Sequence, residues 1–377
     1  MNILVTGANG FIGKNLVIGL KQQTDFNVFR FDLENSFQEL AAILPEVDLV
    51  FHLAGVNRPQ TEDEFRSGNV DFTAQVCNQL IEIGRSVPFV LSSSVQAAFD
   101  NPYGISKRQA EEVVKNYAEK QGARVVIYRL KNLFGKWCRP NYNSVVATFC
   151  HNIARDLPVP ISDPERKIEL IYIDDVVQHF QNEICVTDTG GVQYREVEPV
   201  YRTNLGSLVE LICSFRQMRQ TLVTPDIEDA FTVKLYATYS SHLETDSFAY
   251  DLLQKRDPRG VLAEFIKAPA FGQIFLSRTA PGITRGNHYH HTKVEKFLVI
   301  EGEAIIRFRG LDNNQTIEYP VRGEDFRVVD IPPGYTHSIE NVGASELITL
   351  FWANQIFDNS RPDTFALPVM DKKNGMD

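Results

Sequence analysis

The sequence has no excess of positive charge, no paired cysteines and no long apolar run. Its 377 residues carry 38 Lys and Arg against 48 Asp and Glu, giving a formal charge of −10. This balance argues against a nucleic-acid partner and against a basic membrane-surface protein. The five cysteines form no Cys-x-x-Cys pair, so we expect reduced thiols and a cytoplasmic location. No apolar stretch matches a membrane span, and the first twenty residues lack the features of a signal peptide.

The length of the chain favours at least two domains. Short apolar runs alternate with amphipathic stretches through the first two thirds, which predicts an α/β Rossmann-like fold with a doubly wound parallel sheet. The predicted strands are 3–6, 28–32, 49–53, 89–92 and 125–129, and the predicted helices include 10–22 and 103–121. Later runs alternate in polarity between turns, which predicts an all-β sandwich or barrel. We expect domains at residues 1–245 and 246–377, with frayed residues 371–377.

Three glycines follow the first predicted strand at a spacing that suits a dinucleotide. Gly7, Gly10 and Gly13 would allow a tight turn, a close backbone approach to a pyrophosphate and packing of helix on strand. Asp32, at the end of the second predicted strand, would hold an adenosine ribose and favours NADH. Arg30 is close enough in sequence to accept the 2′-phosphate of NADPH, so the residues leave the choice of cofactor open.

Tyr103 and Lys107 are four residues apart and share one face of a predicted helix. A nearby ammonium lowers the pKa of a tyrosine, so Tyr103 could exchange a proton with a carbonyl or alcohol oxygen while hydride moves to carbon. Ser94, at the end of the preceding strand, could hold that oxygen. The simpler interpretation is an ordinary helix start with an exposed Tyr and Lys, but the glycine turn and the serine favour catalysis.

These motifs resemble the extended short-chain dehydrogenase/reductase family. The segments "FHLAG", "GNVDFT", "YRLKNLFG" and "IYIDDV" are similar to family segments in the same order. One departure is Glu169, because the family often has an arginine there that grips a nucleotide diphosphate. The resemblance implies further cofactor contacts from Asn9, Phe11, Ile12, Leu53, Ala54, Gly55 and Ser92. It implies substrate contacts from Arg58, Asn132, Arg139 and Asn141, with Arg166 and Lys167 as further candidates for the diphosphate.

Three histidines lie within four positions of the second predicted domain. His288 and His290 alternate on one face of a strand, and Glu295 and His337 can join them from adjacent strands. Three imidazoles and a carboxylate suit Zn, Fe(II), Mn or Ni. The alternative is a barrel with inward polar residues and no metal. His291 falls on the opposite face of the strand, where we expect it to be solvated.

The spacing of these residues is similar to both sequence motifs of the cupin superfamily, over roughly residues 250–365. The segments "DPRGVLAEF" and "GITRGNHYH" also resemble nucleotide-sugar 3,5-epimerases, cupins that work without a metal. In those enzymes the histidine matching His288 is the base, and the preceding arginine, here Arg285, grips the nucleotide sugar. Since a metal ligand is not a free base, the base stays unassigned here. The remaining candidates are Lys293, Lys296 and Tyr335.

Nearly end to end, the chain resembles the bifunctional enzymes of capsular polysaccharide and O-antigen assembly on the route to UDP-N-acetyl-L-fucosamine. "HLAGVNRP", "NLFGKWCRPNYNSV" and "PGITRGNHYHHTK" carry this resemblance. It implies a homodimer with zinc in the cupin, which epimerises C3 of a UDP-2-acetamido-2,6-dideoxy-4-hexulose. The first domain would then reduce C4 with NADPH to the L-talose form. The alternatives are a reductase whose cupin only binds sugar or supports dimerisation, a redox-sensing regulator and a cupin dioxygenase.

Overall fold

The computed structural model describes residues 1–22, 25–186, 190–311 and 315–370. Packing divides them into two units, one of residues 1–213 with 229–244, the other of residues 214–228 with those from 245 onward. The segment 371–377, predicted to be frayed, lies outside the described residues. No helix in the described ranges is long and apolar enough to cross a membrane.

The first unit alternates strands and helices along the chain. Its strands are β1 (Asn2–Thr6), β2 (Asn27–Phe31), β3 (Leu49–His52), β4 (Phe89–Ser94), β5 (Arg124–Leu130), β6 (Asn132–Phe134), β7 (Lys167–Tyr172), β8 (Gly191–Arg195) and β9 (Tyr201–Asn204). The helices are α1 (Phe11–Lys21), α2 (Phe37–Ile43), α3 (Asp63–Phe65), α4 (Phe72–Glu82), α5 (Pro102–Gln121), α6 (Val145–Ala154), α7 (Ile173–Asn182), α8 (Leu205–Thr221) and α9 (Ala230–Ser241). The C-terminal part of α8 belongs to the second unit.

A six-stranded sheet in the order β2-β1-β3-β4-β5-β8 forms the core of the first unit, and every pair in it is parallel. The four inner strands, β1, β3, β4 and β5, are largely buried because helices cover both faces of the sheet, where two separate clusters of apolar side chains pack. The strand order reverses between β1 and β3. The turns that follow these two strands therefore meet at one crevice, where such sheets bind ligands. The predicted doubly wound fold is confirmed, with strand ends shifted by one or two residues.

The second unit is all β. Its strands are β10 (Gln254–Asp257), β11 (Gly260–Ala268), β12 (Gly272–Thr279), β13 (Thr284–Tyr289), β14 (Glu295–Glu301), β15 (Glu303–Gly310), β16 (Thr316–Arg322), β17 (Val328–Ile331), β18 (Tyr335–Asn341), β19 (Leu347–Ala353) and β20 (Phe365–Ala366). They form two antiparallel sheets, in the orders β10-β11-β12-β19-β14-β17 and β16-β15-β18-β13-β20. Apolar side chains from both sheets form one buried cluster between them. This arrangement confirms the prediction of an all-β, cupin-like fold.

Residues 214–228 were assigned to the first domain from the sequence, but they pack with the second unit. Val223 forms a parallel bridge with Lys267 of β11. The Thr224 N–H donates to the Lys267 carbonyl at 2.8 Å, and the Lys267 N–H donates to the Leu222 carbonyl at 2.8 Å. These backbone bonds tie the segment to the edge of the β unit, which no local pattern in the sequence indicates.

Candidate active sites

The turn between β1 and α1 is built from glycines that no larger residue could replace. Gly7 has φ +66°, and a Cβ there would lie 2.7 Å from the Ala54 nitrogen. A Cβ on Gly13 would lie 2.1 Å from the Gly7 carbonyl oxygen. Gly10 precedes α1, and no side chain in the described part of the chain caps this helix. The first N–H groups of α1, from Phe11 onward, are therefore available to an anion.

A cavity of about 250 Å³ opens beside this turn. The Asp32 carboxylate accepts the N–H of Asn9 at 2.6 Å and the N–H of Leu33 at 2.9 Å. The Arg30 guanidinium donates to the Asn9 side-chain oxygen at 2.5 Å, and the Asn9 amide donates to Glu34 at 2.5 Å. Charges of both signs therefore converge on Asn9 at this edge of the sheet. The cavity is lined by Ala8, Asn9, Arg30, Phe31, Asp32, Glu34 and Asn35.

The start of α5 positions the predicted catalytic tyrosine. The Asn101 side chain accepts the Gly104 N–H at 2.8 Å and caps the helix. A Cβ on Gly104 would lie 2.2 Å from the Gln96 carbonyl oxygen, so only glycine lets the helix start so close to the end of β4. This close approach places Tyr103 beside Ser94, which acts on the pKa of the phenol.

Burial decides the pKa values of this pair. Burial raises the pKa of the Tyr103 phenol, the Ser94 hydrogen bond opposes this, and the neighbouring Tyr142 adds to it. The predicted lowering by Lys107 is wrong, because Lys107 is not among the groups that shift this pKa. Burial also lowers the pKa of Lys107 to about 8, while Glu111 acts in the opposite direction. Lys107 is only 6% exposed, and this burial disfavours its charged form, which is why its pKa lies closer to neutral pH than that of a solvated lysine.

The remaining cofactor candidates occupy the same crevice. Leu53, Ala54 and Gly55 follow β3, and a Cβ on Gly55 would lie 3.4 Å from the Lys107 ammonium nitrogen. The Ser92 hydroxyl is buried in β4 and donates to the His52 carbonyl at 3.4 Å. The structure thus brings the Gly55 segment and Lys107 together. Ile12 lies in the first turn of α1 with Phe11.

Two of the predicted substrate residues lie in a segment beside the tyrosine. The Arg139 guanidinium stacks over the Tyr142 ring at 5.1 Å. Asn141 has φ +55°, and its N–H donates to the Thr148 hydroxyl at 3.0 Å. Because Tyr142 shifts the pKa of Tyr103, this segment borders the candidate proton donor. Sequence reasoning missed Tyr142, whose only signal was its place in the long specific stretch "NLFGKWCRPNYNSV".

The other two substrate candidates in this unit are exposed. Arg58 is exposed in the loop after β3. Asn132 is exposed on β6, and its amide donates to the Glu169 carbonyl at 3.2 Å. Glu169, where the family often has arginine, forms an ion pair with Arg202 of β9 at 3.0 Å. Position 169 therefore carries an acid, and an arginine, Arg202, stands beside it on the neighbouring strand. This pair lines a cavity of about 390 Å³ that also contains Lys167.

Four predicted metal ligands form one cluster in the β unit. His288 and His337 come from one sheet, His290 directly follows β13 of that sheet, and Glu295 comes from the facing sheet; their ligand atoms all lie within 4.8 Å of one another. A β-bulge between Gly286 and His288 places His288 opposite His337. Nε2 of His290 and Nε2 of His337 each lie 3.4 Å from one Glu295 oxygen.

The protonation of the cluster suits a divalent cation. Burial lowers the pKa of His288 to about 4. Burial by itself raises the pKa of Glu295, but the imidazoles of His290 and His337 bring it down to about 2. Nε2 of His290 and both ring nitrogens of His337 are buried and, within the described residues, have no hydrogen bond of normal geometry. An ionised carboxylate beside unpaired imidazole nitrogens fits a metal, since leaving them unpaired is costly.

A single residue far along the chain orients one of these ligands. Nδ1 of His290 lies 2.5 Å from the Asp363 carbonyl oxygen, so Nδ1 carries the proton and Nε2 offers its lone pair. The Asp363 carboxylate accepts the backbone N–H groups of His291, Thr292 and Lys293 at 2.8–3.0 Å. Asp363 thereby fixes the loop between β13 and β14. No motif in the sequence pointed to it.

The three candidates for the epimerisation base differ in their contacts. The Lys293 ammonium donates to the Pro362 carbonyl at 2.8 Å, and Lys296 pairs with Asp330 on the outer face. Tyr335 lies two residues before His337 on β18 and shares its face. His291 is exposed and stands outside the ligand cluster.

Arg285, predicted to contact substrate, lies on β13 three residues before His288. Its guanidinium donates from Nε to the Thr279 hydroxyl at 2.8 Å and from a terminal nitrogen to the Arg278 carbonyl at 3.4 Å. These two bonds hold the guanidinium along β12, in the same unit as the candidate metal ligands. Burial lowers the pKa of Arg285, the charge of Arg259 lowers it further, and the charge of Asp257 opposes this.

Comparisons with known proteins match both units. Residues 3–181 match the NAD dependent epimerase/dehydratase family, and residues 255–365 match the polysaccharide biosynthesis C-terminal domain. The chain is 45% identical over 369 residues to UDP-2-acetamido-2,6-beta-L-arabino-hexul-4-ose reductase of Pseudomonas aeruginosa, covering 98% of this chain and 99% of that protein.

Solved structures give the same result. The crystal structure of the capsular polysaccharide assembling protein CapF from Staphylococcus aureus superposes with a TM-score of 0.91 at 45% identity, over 98% of this chain and 100% of that one. UDP-glucuronic acid 4-epimerase from Bacillus cereus shares the fold of 64% of the chain, at 17% identity and a TM-score of 0.56. The chain therefore belongs to the family of two-domain capsular polysaccharide enzymes that includes this hexulose reductase and CapF.

Proposed function

We propose that this protein is a bifunctional nucleotide-sugar enzyme, in which residues 1–245 reduce and residues 246–377 epimerise a UDP-linked 4-keto sugar. The substrate would be a UDP-2-acetamido-2,6-dideoxy-4-hexulose, and the product UDP-2-acetamido-2,6-dideoxy-L-talose, a precursor of UDP-N-acetyl-L-fucosamine for capsule or O-antigen. The observation that carries the reductase is the contact of Tyr103 with Ser94, in one crevice with Lys107 and the glycine turn. Identity of 45% to a protein named for this reduction supports the substrate class.

The arrangement accounts for ketone reduction. NAD(P)H, when bound along the glycine turn, supplies the hydride that reaches C4. The Tyr103 phenol donates its proton to the C4 oxygen, and its raised pKa keeps that proton in place at neutral pH. Ser94 orients the same oxygen. The Lys107 ammonium nitrogen lies beside Gly55, in the crevice where the cofactor would bind.

NADPH is the proposed cofactor, with NADH as the alternative. The Asp32 carboxylate accepts two backbone N–H groups, so part of its accepting capacity serves the turn itself. Arg30 lines the same cavity and, within the described residues, is hydrogen-bonded to the neutral Asn9 amide, which a 2′-phosphate could replace. Comparing KM for the two cofactors in the wild-type protein tests this choice.

Epimerisation at C3 would take place in the β unit. A 4-keto group acidifies the neighbouring C–H bond, and a zinc or similar ion held by His288, His290, Glu295 and His337 would act there as a Lewis acid on the ketone oxygen. Arg285 is the proposed contact for the nucleotide sugar. Lys293 and Lys296 are held in other bonds, which leaves Tyr335 as the favoured base.

The full-length Tyr103→Phe variant tests the two activities separately. Incubated in D2O with the 4-keto UDP-sugar and NADPH, it should exchange hydrogen for deuterium at C3 while its reduction slows by roughly 10²–10⁴, because only reduction needs the phenol. If no deuterium enters the sugar, the β unit is not an epimerase. The protein would then be a 4-keto-sugar reductase whose β unit only binds sugar or supports dimerisation.

The proposed setting is a cytoplasmic homodimer. The substrate and the reduced nicotinamide are charged nucleotides made and used inside the cell. Light scattering on the purified full-length chain tests the dimer, and a mass of one chain would exclude it.

A further inference from the structure

A chain of four hydrogen bonds crosses the first unit through a buried histidine. His52, the last residue of β3, is 0% exposed. Its Nδ1 lies 2.9 Å from the Thr6 hydroxyl and its Nε2 lies 2.9 Å from the Thr73 hydroxyl. The Thr6 oxygen accepts the Ala54 N–H at 3.3 Å, and the Thr73 hydroxyl donates to the Asn69 carbonyl at 2.6 Å.

The direction of the chain follows from its ends. A carbonyl only accepts, so the single proton of the Thr73 hydroxyl goes to Asn69, and His52 must donate to Thr73 from Nε2. Burial, with the charge of Lys107, lowers the pKa of His52 to about 3, so the imidazole is neutral. Nδ1 is then an acceptor and receives the Thr6 hydroxyl proton. Every donor and acceptor of the chain is used once, in one direction.

Both ends of the chain reach the crevice described above. At one end, Ala54 packs against the glycine turn, since a Cβ on Gly7 would lie 2.7 Å from the Ala54 nitrogen. At the other end stands Asn69, in a π-helical turn between α3 and α4. The Asn69 side chain accepts the Val56 N–H at 2.8 Å, and a Cβ on Gly55 would lie 2.7 Å from its oxygen. Asn69 therefore holds the Gly55–Val56 backbone from one side.

The same amide also supports the catalytic helix. The Asn69 side-chain nitrogen donates to the Ser106 hydroxyl at 3.0 Å, and Ser106 donates to the Tyr103 carbonyl at 2.8 Å. The Lys107 ammonium nitrogen also lies close to Gly55, 3.4 Å from where a Cβ would stand. The position of the Asn69 backbone thus sets the spacing between the Gly55 segment and the start of α5.

We propose that His52 is a positioning residue, which holds the glycine turn and the Asn69 turn at the separation that a nicotinamide dinucleotide requires. This rests on the proposed reductase function. His52 touches neither substrate nor cofactor, and its two threonine partners transmit its effect. Its ring packs between Phe72 and Phe89, with centroids 5.4 Å from each. A phenyl ring therefore fits the same space without making either hydrogen bond.

Five full-length variants test this inference: His52→Phe, Thr73→Val, Thr73→Ser, Thr6→Ser and the control Thr238→Val. Thr238 is a matched control because its buried hydroxyl also donates to the carbonyl four residues earlier, at 2.8 Å, but in α9. Dissociation constants for NADPH and NADH are measured by nicotinamide fluorescence. KM and kcat for reduction, and the melting temperature, are measured on the same samples.

His52→Phe and Thr73→Val should each weaken cofactor binding about tenfold or more, with KM for the cofactor rising more than kcat falls. Thr73→Ser and Thr6→Ser keep the hydroxyl and should bind like wild type. Thr238→Val should lower the melting temperature as Thr73→Val does, yet leave cofactor binding unchanged. If His52→Phe does not fold, the two Thr73 variants decide the outcome.

Three results would overturn the inference. Wild-type dissociation constants in both His52→Phe and Thr73→Val would make His52 a space-filling residue. If Thr73→Val and Thr73→Ser weakened cofactor binding equally, the hydrogen bond of Thr73 would have no role in it. Equal weakening by Thr238→Val would reduce the effect to general loss of stability. Wild-type protein that binds neither cofactor would refute the reductase function itself, which is a separate and distinguishable failure.

Discussion

Removing one oxygen atom from each of two tyrosines on α5 should separate catalysis from stability. The Tyr103 hydroxyl lies beside Ser94 in the candidate active site. The Tyr117 hydroxyl lies on the same helix but in the core, where it accepts the Val87 N–H at 2.9 Å and donates to the Val87 carbonyl at 2.8 Å. Tyr103→Phe and Tyr117→Phe therefore make the same chemical change in two different settings.

Tyr103→Phe should mainly lower kcat, and Tyr117→Phe should mainly lower the free energy of unfolding. Tyr103→Phe removes the proton donor, which should lower kcat for reduction by roughly 10²–10⁴, about 2.7–5.5 kcal/mol of barrier. Its effect on the free energy of unfolding should stay near ~1 kcal/mol, since it loses one hydrogen bond. Tyr117→Phe leaves a buried N–H without its partner, so it should cost about 1–3 kcal/mol of stability. Its kcat should remain at the wild-type value.

The assay follows NAD(P)H oxidation with the 4-keto UDP-sugar, beside urea denaturation of each variant. The two tyrosines should give opposite rankings in the two measurements. A Tyr103→Phe variant that reduces at near the wild-type rate would refute the assignment of the proton donor. A Tyr117→Phe variant that loses reduction as strongly would show that helix stability, and not the phenol, controls the rate.

Three further predictions concern charge and metal. Because Lys107 has a pKa of about 8 and acts as an ammonium, kcat/KM for reduction should be highest below pH 8 and fall about tenfold per unit above it; a profile flat through this range would exclude Lys107 from the rate. His290→Ala should lose its bound metal by elemental analysis, whereas His291→Ala, outside the cluster, should retain it, and equal metal contents would remove His290 from the ligand set. Arg30→Ala should raise KM for NADPH about tenfold and leave KM for NADH unchanged; equal effects on both cofactors would place Arg30 outside the phosphate site.

Local patterns in the sequence were enough for the fold and for the frame of both sites. The glycine spacing located the turn after β1, because a tight turn, a close approach and helix packing each exclude a side chain. Alternation along β13 placed His288 and His290 on one face, and the structure brings both into the ligand cluster. Strand ends moved by a residue or two, since hydrogen bonds to neighbours, and not local preference, decide where a strand stops.

The features that were missed depend on residues distant in sequence. Asp363 orients His290 from 73 positions away, and Tyr142 reaches Tyr103 through a loop with no regular pattern. The pKa of Tyr103 was predicted in the wrong direction because the spacing shows the nearby charge of Lys107 but not the burial of the phenol, which raises its pKa. Burial is a property of the packed chain, so no spacing between two residues reveals it.

Deuterium at C3 of the reduced sugar tests the central claim most directly. The full-length wild-type protein is incubated in D2O with the 4-keto UDP-sugar and NADPH, and the product is analysed by NMR and mass spectrometry. A bifunctional enzyme should yield a sugar reduced at C4, with hydrogen from the cofactor on that carbon, and carrying one deuterium at an inverted C3. A product reduced at C4 that carries only protium at C3, with its configuration unchanged, would contradict the account.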